Sequence, residues 1–538
     1  MLSEPRPLPE LVAVKRSDPV YNAHGYLTKI PVTAIIPFVE AFTNPGDVVL
    51  DPFAGSGMTG VAAAMTGRRA ELRDIAALGR HIGCGYLNLV DPGSLFAASD
   101  LAERLARATF PHAYEHPCRR CTGGALLSRR VWSVVYECEG CKAPVSFYRA
   151  LERADWSKSA MLCPSCEAPF ETRSGKRLGE EAVLDTVSCA CASTLVDQPP
   201  TPPLGGADPG EVAAPSVSIG PELQMYQASA LGKHGLTATA DFFSPRNLAM
   251  LTALRDAIQT EPDEGLRAKL MFAFTAVLPR ASKRYQWSRK RPLNASNANY
   301  YIAPVFYEWN VLDLFARKVR ALARSDEQIR AARHSRRIDA IPIYRYETGS
   351  AAELDLPDGS VDYVFTDPPF GSNIFYSDMN LFQEAWLGVM TDPTDEAVVD
   401  RGRRRKRDAD RYERLLTEAL AEAHRVLVPR GWLSLNFSNT SGALWALVQR
   451  AIINAGFVLD ADRISLLDKG QRSVKGLASG FENVVTADLL LSMRKKRPGE
   501  DVTLQTAPDG ATEIAVDEAL ATDAPTPTHV YLQVIRSF

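Results

Sequence analysis

The sequence predicts an α/β fold: a mostly parallel, doubly wound sheet that a long insertion interrupts. Three observations carry this. The string DPFAGSG at Asp51–Gly57 follows the apolar run Asp47–Leu50, and TDPPF at Thr366–Phe370 follows Val361–Phe365. Each reads as a buried parallel strand running into a loop. The residues between the strings (58 to 365) carry four close cysteine pairs, a texture foreign to a plain doubly wound domain.

Bulk properties bound the rest. A chain of 538 residues can hold two to four domains and bury a large core. No 18-residue apolar run occurs, so no membrane-spanning helix is expected. The opening MLSEPRPLPELVAVKR lacks the apolar stretch of a secretory leader, so a cytoplasmic location is expected. The net charge of −3 restricts phosphate binding to local basic patches on an acidic body. Two candidates exist. One is RASKRYQWSRKR, in which Arg280, Lys283, Arg284, Arg289, Lys290 and Arg291 are interleaved with Tyr285 and Trp287; the other is Arg401–Arg407. Either could be a solvated charged face.

In chain order, Ile35, Ile36, Val39 and Phe42 mark a helical face, and Asn44-Pro45-Gly46-Asp47 a turn. VVLDPFAGSG is a strand entering a glycine loop, the helix from Met58 closes at Gly67, and residues 68–75 give a second strand ending at Asp74. Residues 96–197 read as a cysteine-rich insertion with short strands such as Val131–Tyr136. Residues 198–222, rich in proline and glycine, read as a linker. Residues 223–335 read as a helical insertion, with apolar faces at Leu248, Leu251, Leu254 and Ile258 and at Val311, Leu314, Phe315 and Val319. Doubly wound texture fills 336–497. Tyr412, Leu415, Leu416, Ala419 and Leu420 mark a helix face, Trp432–Phe437 a strand, and Gly442–Ala455 a helix that Gly456 stops. Phe457–Ile464 and Val484–Met493 lack an intervening helix and are expected to pair antiparallel. Residues 498–538 read as a poorly ordered tail.

The first string suits a nucleoside-type ligand. Gly55 and Gly57 can take dihedrals that let a ligand approach the backbone, and the helix that follows presents free amides. A carboxylate at Asp51 would repel a pyrophosphate but suits the ammonium of a methionine moiety. Asp74, about twenty residues on, is placed for ribose hydroxyls. S-adenosylmethionine has both groups and no phosphate.

The second string cannot continue a ladder or a helix, because its two prolines forbid both. It must leave the sheet as a rigid turn, exposing the Asp367 carboxylate and the Pro368 carbonyl at the carboxyl edge where ligands sit. Those two acceptors can hold the hydrogens of an aromatic amine and pull its nitrogen toward sp³. Phe370 can stack on the ring, worth roughly 1–3 kcal/mol per base. A duplex base would first have to be flipped out.

Cys118-x₂-Cys121 and Cys138-x₂-Cys141 give a zinc-ribbon signal, and Cys163/Cys166 with Cys189/Cys191 a second candidate site; interleaved pairing is also open. Four thiolates close such a site, so zinc here would be structural. Cys84 reads as a small core residue.

With these residues in view, the chain resembles the amino-methylating DNA methyltransferases that act on adenine N6 or cytosine N4. DPFAGSG is similar to that family's DPFxGxG loop and TDPPF to its D/N/S-PP-Y/F motif. HGYLTKIPVTAII at 24–36 is similar to the segment that touches the methionine end. The resemblance covers about 20–90 and 340–496. It implies a Rossmann-like class I methyltransferase fold with a seven-stranded sheet whose last strand is antiparallel. It implies a cofactor site at Lys29, Asp51, Phe53, Gly55, Gly57, Asp74 and Ser350. The catalytic element is then Asp367, Pro368, Pro369 and Phe370, with aspartate leaning toward adenine. The implied partner is DNA, with the enzyme associated with the nucleoid. An RNA-base methyltransferase could share both motifs, and a zinc-ribbon nucleic-acid-binding protein could retain the fold without activity.

Overall fold

The computed structural model describes residues 4–14, 17–170, 176–204, 212–229, 231–289, 300–338, 344–371, 374–399, 409–439, 441–468, 487–497 and 499–500. Contacts divide the chain into two compact units. One comprises residues 1–89, 324–380 and 390–538; the other comprises 90–323 and 381–389.

The described residues of the first unit form eight strands. They are β1 (Leu11–Ala13), β2 (Val48–Asp51), β3 (Arg69–Asp74), β4 (Tyr344–Thr348), β5 (Val361–Thr366), β6 (Leu427–Phe437), β7 (Phe457–Asp468) and β8 (Ala487–Lys495), in the order β1-β7-β8-β6-β5-β2-β3-β4. Among the described strands, only β8 runs antiparallel to its neighbours. The edge strand β1, which pairs with β7, brings the total to eight against the seven expected. Its three residues LVA are too short to register as a periodic segment.

Strand order reverses between β2 and β5, where Val49 lies opposite Tyr363 and Leu50 opposite Val364. Open α/β sheets place their ligand crevice at the carboxyl ends of the strands at such a switch point. Both strings therefore leave the sheet at one place, although the whole insertion separates them in sequence.

Burial on both faces explains the unbroken apolar runs. On one face Phe42 of the helix Val32–Phe42 stacks on Tyr363 and Trp432 at 5.0 and 5.2 Å, and Phe38 meets Phe365 at 5.8 Å. On the other, Val364, Leu433 and Leu435 form a core with Tyr412, Leu416, Leu420 and Ala423 of the helix Ala409–Val426 and with Val448 of Gly442–Asn454. Gly456, at φ 87°, ends that last helix in the left-handed conformation glycine tolerates.

The second unit centres on the 14-residue strand Gly124–Glu137. It pairs antiparallel with Arg177–Ser188, Val305–Trp309, Glu115–Pro117 and Pro144–Ser146. Helices Pro92–Thr109, Pro245–Gln259 and Glu264–Ala281 accompany this sheet. Two expectations change here. Residues 305–309, expected within a helix, form a strand; VFYEW is β-branched and aromatic and buried at all five positions, so it has no helical stripe to show. That strand also ties the helical segment to the cysteine-rich one, making a single unit. The stretch read as a linker is anchored at Thr201: its amide donates to Asp185 Oδ2 at 3.0 Å, and its carbonyl accepts from Arg130 at 2.6 Å. Residues 205–211, 401–407 and 501–538 lie outside the described residues.

Candidate active site

Asp51 and Thr366, at the tips of β2 and β5, meet directly: the threonine hydroxyl donates to Asp51 Oδ1 at 3.0 Å. Thr59 donates to the other oxygen at 2.6 Å, and the Phe53 amide to Oδ1 at 3.1 Å. Burial pushes the Asp51 carboxyl up to about 7, against the lowering effect of these hydrogen bonds. Asp74 accepts from the amides of Gly55 at 2.7 Å and Ala76 at 2.8 Å, and burial holds it up at about 6. The two carboxylates thus brace the glycine loop from both sides.

The loop needs its glycines. Gly57 sits at φ 75°, and a Cβ there would come within 2.7 Å of the Gly83 Cα. The opposite wall is the turn 349–353 after β4. Arg73 clamps it, donating to the carbonyls of Ser350 at 3.2 Å and Glu353 at 2.7 Å and pairing with Glu347 at 2.9 Å. A Cβ on Gly349 would lie 2.8 Å from that guanidinium carbon.

These elements line one pocket at the switch point. Lys29, Asp51, Phe53, Gly55, Asp74, Ser350, Asp367 and Pro369 line it, so residues from every segment expected to bind cofactor or base converge there. Gly57, Pro368 and Phe370 stand outside the lining. Gly57 shapes the turn, and Phe370 packs edge-on against Phe437 at 5.1 Å. Lys29 lines the wall, but its ammonium bonds the carbonyls of Tyr21 and His24 at 2.5 and 2.7 Å and the Tyr86 hydroxyl at 3.1 Å. It holds the N-terminal segment in place rather than reaching into the cavity.

The proline turn is clamped at three points. Asn436 Nδ2 donates to Asp367 Oδ1, the Tyr412 hydroxyl to the Pro369 carbonyl, and Asn439 Nδ2 to the Phe370 carbonyl, each at 2.8 Å. Among the described residues no donor reaches the Pro368 carbonyl. Sequence reasoning missed these supports, and also Tyr26, Tyr376 and Glu396 in the pocket wall. Tyr376 shares a 2.6 Å hydrogen bond with Thr28 and stacks on Tyr26 at 6.2 Å; Glu396 accepts from the Ser377 hydroxyl at 2.6 Å. The one readable signal was Asn436, a polar residue near the end of the apolar strand WLSLNF.

The cysteines gather differently from the leading expectation. Cys118 and Cys121 join Cys189 and Cys191; Cys138 and Cys141 join Cys163 and Cys166. The reason is the length of Gly124–Glu137: at about 3.4 Å per residue it holds Cys121 and Cys138 roughly 45 Å apart. The antiparallel return along Arg177–Ser188 delivers Cys189 to the first end. Sulfur separations of 3.7 and 3.4 Å in one cluster and 3.8 and 3.7 Å in the other exclude disulfides. They fit a tetrahedral zinc tetrathiolate, whose sulfurs lie about 3.8 Å apart at Zn–S bonds of about 2.3 Å.

The basic stretch splits. Arg284 is buried, with its guanidinium 4.3 Å from the Tyr300 ring, so it cannot face a ligand outside. Lys283 pairs with Glu180 at 3.1 Å. Arg280 packs between Tyr285 and Trp309, and Arg289, exposed, lies over Trp156 at 5.4 Å. Lys290 and Arg291 lie outside the described residues.

Fold and pocket are thus those of an α/β domain with a crevice at the strand tips beside a carboxylate clamped by the proline turn. Residues 13–89, which build β2, its loop and β3, match the family model described as a DNA methylase. Two proteins of Escherichia coli (strain K12) are similar to parts of it. The one named "Putative methylase YubD" is 50% identical over 64 residues, 12% of this chain and 26% of that protein. The DNA adenine methyltransferase YhdJ is 35% identical over 86 residues, 15% of this chain and 27% of that protein. The chain thus spans about a quarter of the length of each. No described helix is long and apolar enough to cross a membrane.

Proposed function

We propose that the protein transfers a methyl group from S-adenosylmethionine to the exocyclic amine of a flipped-out DNA base, adenine N6. The carrying observation is the hydrogen bond between Thr366 and Asp51, which fixes the proline turn and the cofactor-type loop at one switch point. The domain reading is a class I methyltransferase sheet, β2 to β8, with β1 added at its edge.

The pocket suits this cofactor: two desolvated carboxylates, Asp51 and Asp74, gain from an ammonium and from ribose hydroxyls, and the 349–353 turn offers a wall for the adenine. S-adenosylmethionine, when bound, supplies the electrophilic methyl group. The Asp367 carboxylate and the Pro368 carbonyl accept the two amine hydrogens and aim the nitrogen lone pair, and Asp367 takes up the displaced proton. Asn436 keeps that carboxylate turned to the amine. Aspartate at 367 and the adenine activity in the name of one relative support adenine. Structural zinc in both cysteine clusters completes the insertion.

Tritiated-methyl transfer to DNA, with adenine as the labelled base, is the expected result. Transfer to RNA but not DNA would overturn the reading. A pH signature accompanies it. The raised Asp51 and Asp74 carboxyls bind more protons in the folded than in the unfolded chain, whose value is 3.8, so their contribution to stability falls as pH rises toward about 7. A cationic ligand favours their ionised forms. Cofactor affinity should therefore rise between about pH 6 and about pH 7, the two raised values, with proton release on binding. Calorimetry in buffers of different ionisation enthalpy measures both, and a pH-independent affinity would remove these carboxylates from the site.

A further inference from the structure

An arginine–aromatic face lies on the second unit. Antiparallel pairing sets Arg129 directly opposite Trp309, and directly opposed residues share a sheet face. Tyr307, two residues earlier, lies on that face too. The bridge between Gln286 and Phe306 places Tyr285 and Trp287 on the same side.

Three guanidiniums stack on these rings. Arg129 lies 5.2 Å from the Trp309 centroid, Arg317 5.4 Å and Arg280 4.9 Å. Among the described residues none of the three is within salt-bridge distance of a carboxylate. Arg317 is held below the usual guanidinium value by burial and then by repulsion from Arg280, which together outweigh the opposing pull of the nearby Asp313 carboxylate. Two buried donors at the centre, Trp309 Nε1 and Arg280 Nε, have no hydrogen-bond partner among the described residues. Rings that hold cationic forks without neutralising them preorganise those forks for an anion.

The face continues into a half-buried triad. Trp287, Trp156 and Tyr148 lie 5.3 Å apart pairwise, with Arg289 over Trp156. Asp155 and Trp156 hold positive φ angles of 46° and 66°, strained for residues with side chains, so the surrounding structure enforces this ring's position.

We propose that this face binds the phosphodiester backbone of DNA, with Arg129, Arg280 and Arg317 as phosphate ligands and Trp156 and Trp287 at its margin. The proposal rests on DNA being the substrate, and it assigns the contact to arginines from three separate segments rather than to one basic run. Charge complementarity selects the ligand: the chain as a whole is acidic, while this face gathers three arginines with no described carboxylate within salt-bridge distance. Phosphate contacts position a duplex without reading its sequence, so the face supplies affinity and register rather than target choice.

The test uses the full chain, labelled duplex DNA and a salt series. Arg129→Ala and Arg317→Ala should each lower the slope of log affinity against log salt by about 1, and the double variant by about 2. Cofactor binding should stay unchanged in all three, and Arg317→Lys should restore the slope. DNA should also quench tryptophan fluorescence in the wild type, and less so in Trp156→Phe. An unchanged slope in the double variant overturns the proposal. Tighter binding to an RNA duplex, lost on the same substitutions, overturns the assignment to DNA. A protein that transfers no methyl group but keeps the arginine-dependent slope would sink the proposed reaction and leave this inference standing.

Discussion

Alanine at position 367 is expected to lower methyl transfer by about 10³-fold while cofactor affinity stays within a factor of about 2. On the proposed reaction the carboxylate would meet the amine, whereas the loop that would hold the cofactor is braced by Asp51 and Asp74 instead. Single-turnover transfer of a tritiated methyl group, with calorimetry of cofactor binding, separates the two effects. Asn436→Leu is expected to fall between alanine and wild type in turnover, since it removes the 2.8 Å amide hydrogen bond that turns Asp367 but leaves the carboxylate. Equal loss of cofactor binding in Asp367→Ala would instead assign the residue to the methionine end of the pocket.

Serine at Cys118 or at Cys189 should each remove the same one of two zinc ions, and serine at Cys138 or Cys163 the other. The double variant Cys118→Ser/Cys189→Ser should then lose no more metal than either single, while Cys118→Ser/Cys138→Ser loses both. Zinc release read with a thiol reagent and a metal-sensitive dye gives the counts. The reverse pattern would restore the sequential pairing of the knuckles. Structural zinc contributes about 10–16 kcal/mol of apparent binding energy in small folding units. Each loss should therefore open its own end of the sheet to protease.

Legibility in the sequence followed the range of the interactions involved. DPFAGSG, the helix closing at Gly67 and the strand ending at Asp74 are local, and each shows its reason within ten residues: a turn, a glycine at positive φ, a periodic face. The glycine stop at Gly456 was legible for the same cause. Strand Val305–Trp309 was not, because its partner Gly124–Glu137 lies far upstream and its own burial is uniform. The knuckle pairing was hidden because it depends on the length and return path of that partner strand, which short β-like stretches such as Val131–Tyr136 understate. The basic stretch showed charge but not direction: Arg284 turns inward onto Tyr300, while Arg129 and Arg317, unremarkable in sequence, reach the same aromatic face as Arg280. In the pocket, motif residues could be read, whereas Tyr26, Glu396 and Asn439 act through contacts that only the folded chain creates.

The Asp362 carboxylate accepts from the Val48 amide across a sequence separation of 314 residues, and β2 and β5 pair beside it. A ribosome adding about 5–20 residues per second needs roughly 15–60 s to cover that distance. For that interval β2 and β3 leave the exit tunnel without their central neighbour, and their apolar edges are open to any passing chain. The intervening unit, with its own sheet and cysteine clusters, can close in the meantime. Successful synthesis should therefore hinge on chaperone cover of the first ninety residues and on a supply of metal while translation is still under way.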